Sequence, residues 1–238
     1  MRRCVIIFLE WEWELSSLQA YMAEIDLLVN YPKIKRNVNE RGMQKTEDDR
    51  RVGRQFGQEY FDGDRRFGYG GYNYNPRFWQ LVIPTFVQQY HLTSQSSILD
   101  VGCAKGFMMH DFAQSIPGIK LQGLDISDYA IEHALPDMKP LIRKGNAKEL
   151  PFADKSFDLV ISINTIHNLP PSECAQALRE IERVGRHAFI TMDAYRTPEE
   201  KERMDAWNLT ALTYMHVDEW KALFKQVGFT GDYYWFIP

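Results

Sequence analysis

The sequence predicts one doubly wound α/β domain with a mostly parallel sheet, preceded by a helical and aromatic extension. Three observations carry that expectation. Over residues 97–238, short apolar runs alternate with amphipathic stretches, the pattern of buried strands crossed by covering helices. The first run ends in an acid and turns through small residues, Ser97-Ile98-Leu99-Asp100-Val101-Gly102-Cys103-Ala104-Lys105-Gly106-Phe107. The next ends in a second acid, Gly123-Leu124-Asp125-Ile126-Ser127.

The elements follow in chain order. Residues 1–54 read as an N-terminal extension, partly disordered or begun too early, with Met43 as the alternative start to Met1. Within it, Leu18, Met22, Ile25 and Val29 stand at helical spacing, so a helix is expected from Leu15 to Val29. Gln44 to Arg54 is polar and charged, as an exposed arm would be. The apolar run Cys4–Leu9 is too short for a secretion signal, and Glu10, Glu12 and Glu14 follow it directly. Residues 55–96 form a lid or acceptor-site segment, rich in Tyr, Phe and Gly to Pro76, with a helix from Arg77 to Tyr90.

Residues 97–238 form the main domain. Strands are expected at Ser97–Val101, Lys120–Asp125, Leu141–Lys144, Phe157–Ile163 and His187–Met192. Helices are expected at Gly106–Ser115, Asp128–Leu135, Ser172–Val184, Pro198–Leu209 and Val217–Val227. Cys174, Ala177, Leu178 and Ile181 make one apolar stripe, and Val217, Trp220, Phe224 and Val227 make another, with Gly228 placed to end that helix. The aromatic tail Asp232–Ile237 adds a strand.

Composition narrows the function. With 45% hydrophobic and 25% charged residues the chain is an ordinary globular one, and its net charge of -4 gives no global field for nucleic acid. Cys4, Cys103 and Cys174 are scattered, which argues against a disulfide framework and a metal site. No stretch approaches the roughly 20 apolar residues that span a bilayer. The expected compartment is the cytoplasm.

The chemistry is concentrated in the two acid-bearing turns. Gly102 allows a tight turn, Ala104 keeps it slim, and Gly106 opens a helix whose N–H groups can meet a carboxylate or phosphate. The dinucleotide fingerprint fails, because Ala104 and Phe107 stand where its second and third glycines belong. That weakens an NAD-linked dehydrogenase. Asp125 can accept both hydroxyls of a ribose lying across the crevice. The competing reading, a cap for the helix from Asp128, is less favoured beside that loop.

Two further stretches complete the set: Gly145-Asn146-Ala147-Lys148-Glu149-Leu150-Pro151-Phe152 and Ser156-Phe157-Asp158-Leu159-Val160-Ile161-Ser162. In this order and spacing the four motifs resemble those of class I S-adenosylmethionine-dependent methyltransferases. The likeness is to the small-molecule branch with the quinone-biosynthesis enzymes, over about residues 97–193. The resemblance implies a Rossmann-like methyltransferase sheet and S-adenosyl-L-methionine as cofactor. It implies that Asp100 and Gly102 shape the pocket for the methionine part, with Ala104 and Gly106 in the same loop. Asp125 would hold the ribose, Ile126 pack on adenine, Asn146 and Ala147 meet the adenine edge, and Asn164 sit beside the donor methyl. Ala104 departs from the usual glycine, and Asn146 from the commoner acid, which puts a carbonyl where a carboxylate would meet the adenine amino group.

Ligands of open α/β sheets bind outside the carboxyl ends of strands, which places Asn164, Thr165, His167 and Asn168 at the active face. His167 is a candidate general base, with a structural histidine as the alternative. Asp193 is a second candidate base, and Arg196 a candidate anion contact, with a cap for the following helix or a place in solvent as the equal alternative for each. Within Tyr60–Pro76, Tyr69, Tyr72 and Tyr74 are expected to line the acceptor pocket under a lid, Tyr72 being the third candidate base. Packing on the sheet edge and stacking on single-stranded RNA are the alternatives. The expected reaction is methyl transfer to an oxygen or nitrogen of a small-molecule acceptor, with neither membrane nor nucleic acid as partner. RNA or protein methylation, and non-catalytic binding of the cofactor by a regulatory protein, are the rivals. The sequence carries no signal for an oligomeric state.

Overall fold

In the computed structural model, which describes residues 22–32 and 45–238, the apolar runs become seven strands. These are β1 (Ser97–Val101), β2 (Lys120–Asp125), β3 (Ile142–Lys144), β4 (Phe157–Ile163), β5 (Gly185–Tyr195), β6 (Met215–His216) and β7 (Asp232–Phe236). They lie in the order β3-β2-β1-β4-β5, with β6 and β7 both paired to β5, and every pairing is parallel. The length of β5 makes this possible: Phe189–Asp193 pair with β7, and Ala194–Tyr195 with β6.

Eight α-helices accompany the sheet among the described residues: α1 (Glu47–Gly53), α2 (Gln58–Phe61), α3 (Ile83–Tyr90), α4 (Phe107–Ser115), α5 (Asp128–Glu132), α6 (Pro171–Val184), α7 (Pro198–Trp207) and α8 (Val217–Val227). The strands are buried on both faces, and alternate residues serve different layers. Leu99, Val160 and Ile190 pack with Ala177 and Ile181 of α6 and with Trp220 and Phe224 of α8. Ile98, Leu159, Ile161 and Phe189 pack on the other face with Phe86 of α3 and Phe112 of α4. Among the described residues no helix is long and apolar enough to cross a membrane.

Several boundaries differ from the expectation, and prolines explain most of them. The helix expected from Arg77 starts at Ile83, because Pro84 lacks the N–H that an interior position donates and fits only the first turn. The helix from Asp128 stops at Glu132 ahead of Pro136, and the Leu135 N–H turns to the Lys105 carbonyl. Lys139–Leu141 is a short 3-10 turn around Pro140, so β3 starts one residue late.

The helix expected at Leu15–Val29 is not formed where it is described. Ile25 N–H donates to the Tyr233 carbonyl and Tyr233 N–H to the Ala23 carbonyl, so residues 23–25 cover the outer edge of β7 before turning. Unpaired edge groups of a strand are a strong template for such pairing. Leu27 is the residue buried there, while Val29 is 53% exposed. The rest of that expected helix, residues 15–21, lies outside the described residues, as does the run Cys4–Leu9.

Candidate active site

The chain leaves β1 toward β2 on one side and returns to β4 on the other. At such a reversal the loops part and a crevice opens beyond the carboxyl ends of the strands. A cavity of about 970 Å³ lies there, at the upper end of the roughly 300–1,000 Å³ usual for small-molecule sites. Its wall includes Asp100, Gly102, Ala104, Asp125, Ile126, Asn146, Ala147, Asn164, His167, Asp193 and Tyr72. Residues far apart in sequence therefore meet in one place.

The loop after β1 shows why its residues are small. Gly102 has φ +84, and a Cβ there would stand 2.2 Å from Thr165 Oγ1. Gly106, also at positive φ, caps α4. Ala104 adopts φ +49, a left-handed conformation that costs an L-residue about 1–2 kcal/mol. Its N–H then reaches Asp125 Oδ2 at 2.7 Å, while Ser127 N–H reaches Oδ1 at 2.8 Å. Burial pushes the Asp125 carboxyl up and these N–H bonds pull it back. A carboxylate has about four acceptor directions, so these two bonds leave Asp125 able to accept further donors.

Asp100 is buried beside it, pushed up to about 7 by burial first and by the Asp125 charge second. Ile126 is 50% exposed, an apolar surface that a planar base can cover. Asn146 Oδ1 already accepts from Lys148 N–H at 3.1 Å, leaving the amide one acceptor direction and its NH₂. Asn164, at φ +50, accepts from the Thr191 hydroxyl at 2.9 Å, which leaves its NH₂ as donor.

The three candidate bases differ in state. His167 Nδ1 accepts the Asp193 backbone N–H at 3.0 Å, so in the neutral ring the proton sits on Nε2. Burial lowers the imidazole's affinity for a second proton, against the pull of Asp193. The 3.7 Å approach to Asp193 Oδ1 is therefore no ion pair. Tyr72 stacks on Phe107 at 4.8 Å, and burial pushes its phenol well above the ordinary range. Asp193 is held through its backbone: the N–H goes to His167, and the carbonyl accepts from Trp220 Nε1 at 3.1 Å.

Other expected positions turn away. The Tyr74 hydroxyl donates to Asp111 Oδ1 at 2.6 Å rather than lining the cavity. Arg196 pairs with Glu24 at 2.6 Å, outside the wall. Both miss because a side chain's direction depends on partners that arrive from elsewhere in the chain. Conversely, Tyr31, Trp79 and Trp235 line the cavity without a local signal. Trp235 Nε1 and Asn168 Oδ1 are buried there without hydrogen-bond partners among the described residues.

A parallel sheet with its crevice at the strand reversal puts the chain in the doubly wound ligand-binding class. Within that class, residues 98–188 match the model of the methyltransferase-domain family. A malonyl-[acyl-carrier protein] O-methyltransferase of Legionella pneumophila is 31% identical over 137 residues, 55% of this chain and 47% of that protein. A demethylmenaquinone methyltransferase of Lactiplantibacillus plantarum is 37% identical over 105 residues, 40% of this chain and 43% of that protein. The chain thus spans less than half the length of these two relatives. Among solved structures, the YcgJ protein of Bacillus subtilis superposes with a TM-score of 0.51 at 19% identity, over 61% of this chain and 66% of that one. The [4+2]-cyclase SpnF does so with 0.51 at 19%, over 63% and 56%. At that identity the likeness concerns the fold, and a cyclase on the same fold shows that the sheet alone does not set the reaction.

Proposed function

We propose that the protein transfers a methyl group from S-adenosyl-L-methionine to an oxygen or nitrogen of a small-molecule acceptor. The observation that carries the reading is Asp125, a buried carboxylate fixed by two backbone N–H groups with two acceptor directions left for ribose hydroxyls. The rest of the wall fits the same donor. Ile126 offers a face for the base, Asn146 an edge contact, and the Gly102–Ala104 turn room for the methionine part; Gly106 stands off the wall. Asp100 gains by ionising beside a cationic ligand, which offsets the burial that now raises it.

Bound there, the donor supplies a methyl group already made electrophilic by its sulfonium. The protein's task is to align the acceptor, exclude water and take up a proton. Asp193 is the base: His167 has its one free lone pair engaged, and Tyr72 is held as a phenol. The acceptor proton passes to the Asp193 carboxylate as the new bond forms. His167 steadies Asp193, and Tyr72 packs the wall. Trp235 Nε1 and Asn168 Oδ1 give the acceptor a donor and an acceptor to meet. Residues 55–96 serve as the lid and residues 97–238 as the donor-binding domain.

The same geometry supports a small molecule over RNA as acceptor. Arg65 bonds the Gly68 and Tyr69 carbonyls, and Arg66 bonds Asp49. The Tyr/Gly/Arg stretch therefore folds on itself instead of offering its cations to a strand. Isothermal titration with S-adenosylmethionine, S-adenosylhomocysteine and NAD tests the reading. Both adenosyl compounds should bind in the micromolar range and NAD should not, and Asp125→Asn should weaken binding at least about tenfold. Absence of adenosyl binding removes the proposal. Tight binding with no methylated product across a broad acceptor panel would favour a regulatory binder.

A further inference from the structure

We propose that Lys105 and Asp62 form a buried latch that couples the donor loop to the segment over the acceptor side, so that donor binding orders that segment. The inference rests on the donor reading above. Lys105 lies in the loop after β1, between Ala104, whose N–H fixes Asp125, and Gly106, which caps α4. Its side chain is only 6% exposed, and its ammonium meets Asp62 Oδ2 at 2.6 Å and the Tyr72 carbonyl at 2.9 Å. A lysine is rarely buried unless it is paired.

Asp62 gathers the other threads. Its Oδ1 accepts the Tyr72 N–H at 2.8 Å, and its Oδ2 also accepts the Tyr129 hydroxyl at 2.8 Å. Tyr129 belongs to α5, which Ser127 caps, and the Ser127 hydroxyl donates to the Phe56 carbonyl at 2.5 Å. Residues 56, 62 and 72 are thus tied to the two loops that hold the Asp125 carboxylate. Between those ties, the rings of Phe61, Tyr69 and Tyr72 pack against one another and line the cavity. Any restraint the donor places on Ala104, Asp125 or Ser127 passes through these bonds to the aromatic wall. Lys105 and Asp62 are positioning residues in this scheme and touch neither reactant.

Hydrogen exchange of the full chain, with and without S-adenosylhomocysteine, tests the latch without an acceptor. In the wild type the ligand should slow exchange across residues 57–72 about tenfold or more. The double variant Lys105→Met with Asp62→Asn removes both charges and leaves no buried ion unpaired. It should bind the ligand within about threefold of the wild type, yet lose the slowing at 57–72. Lys105→Met alone should melt below the double variant, because it strands Asp62. If the double variant does not fold, Tyr129→Phe removes one hydroxyl from Asp62 and should reduce the slowing. Ligand-dependent slowing that persists in full in the variants overturns the latch, as does wild-type binding with no response at 57–72. A wild type that binds neither adenosyl compound instead overturns the donor reading on which the latch rests.

Discussion

Replacing Asp100 by Asn should stabilise the protein at pH 8 while weakening its hold on the donor. The carboxyl is raised from 3.8 to about 7, by burial and then by Asp125. The folded protein therefore binds this proton more tightly than the unfolded chain does. The stability it contributes is fully present below about pH 4 and is lost as the pH climbs through about 7. About three pH units at ~1.36 kcal/mol each make about 4 kcal/mol. With the residue 7% exposed, water screens little of it. Asparagine keeps the shape and stays neutral, so the variant escapes that cost. Its melting temperature at pH 8 should exceed the wild type's by about 10 °C, from roughly 2–4 °C per kcal/mol in a chain of this size. Near pH 4 the two should melt together. In titration calorimetry, wild-type affinity for the cationic donor should rise up to about tenfold from pH 6 to 8, as Asp100 goes from about one-tenth to nine-tenths ionised. The variant should show a lower affinity without that slope. An Asn variant that melts at or below the wild type at pH 8 refutes the reasoning.

Four other substitutions probe the site. Gly102→Ala should cost more than about 2 kcal/mol and abolish donor binding, since it adds left-handed strain to a clash with Thr165, whose hydroxyl is held by the Ile163 carbonyl; a wild-type melt would contradict this. Ala104→Gly should leave donor binding unchanged and gain a few tenths to about 1 kcal/mol, because relief of the positive φ outweighs the freer unfolded chain. A loss of stability would show that the methyl group packs usefully. His167→Asn can still accept the Asp193 N–H and should keep turnover within about tenfold, whereas Asp193→Asn should lower it by ~10²-fold or more. Inverted effects in steady-state kinetics would move the base to His167.

The central strands were legible because a parallel strand covered on both faces must be apolar along its length, whatever lies beyond it. Element boundaries near Pro84, Pro136 and Pro140 were less so, since periodicity counts side chains and ignores a missing N–H. The segment around Glu24 reads as helical in isolation, but its backbone partner is Tyr233, and no local pattern reveals a partner at that distance. The same division runs through the site. Asp100, Asp125, Asn164 and Asp193 reach the cavity because strand ends point there by topology. Tyr74 and Arg196 depend on where Asp111 and Glu24 stand, and Trp235 depends on β7 joining β5.

Local rules are broken where the cavity is, and that pattern bears on function. Phe56, Ala104 and Asn164 are non-glycine residues at positive φ, and all three line the cavity. So do Asp100 and Asp125, two buried acids close enough for one to raise the other. Outside the cavity His91 and Lys155 also adopt positive φ, but Thr46, Ser127 and Thr197 cap their helices, and Gly228 ends α8 in the conformation glycine tolerates best. A fold that can place caps and turns so well has no structural reason to gather strain and negative charge in one crevice. The proposed cationic donor would supply one, because such a ligand relieves the repulsion between the two acids. The stabilising effect of Asp100→Asn is then the measure of what the site withholds from the fold in order to bind.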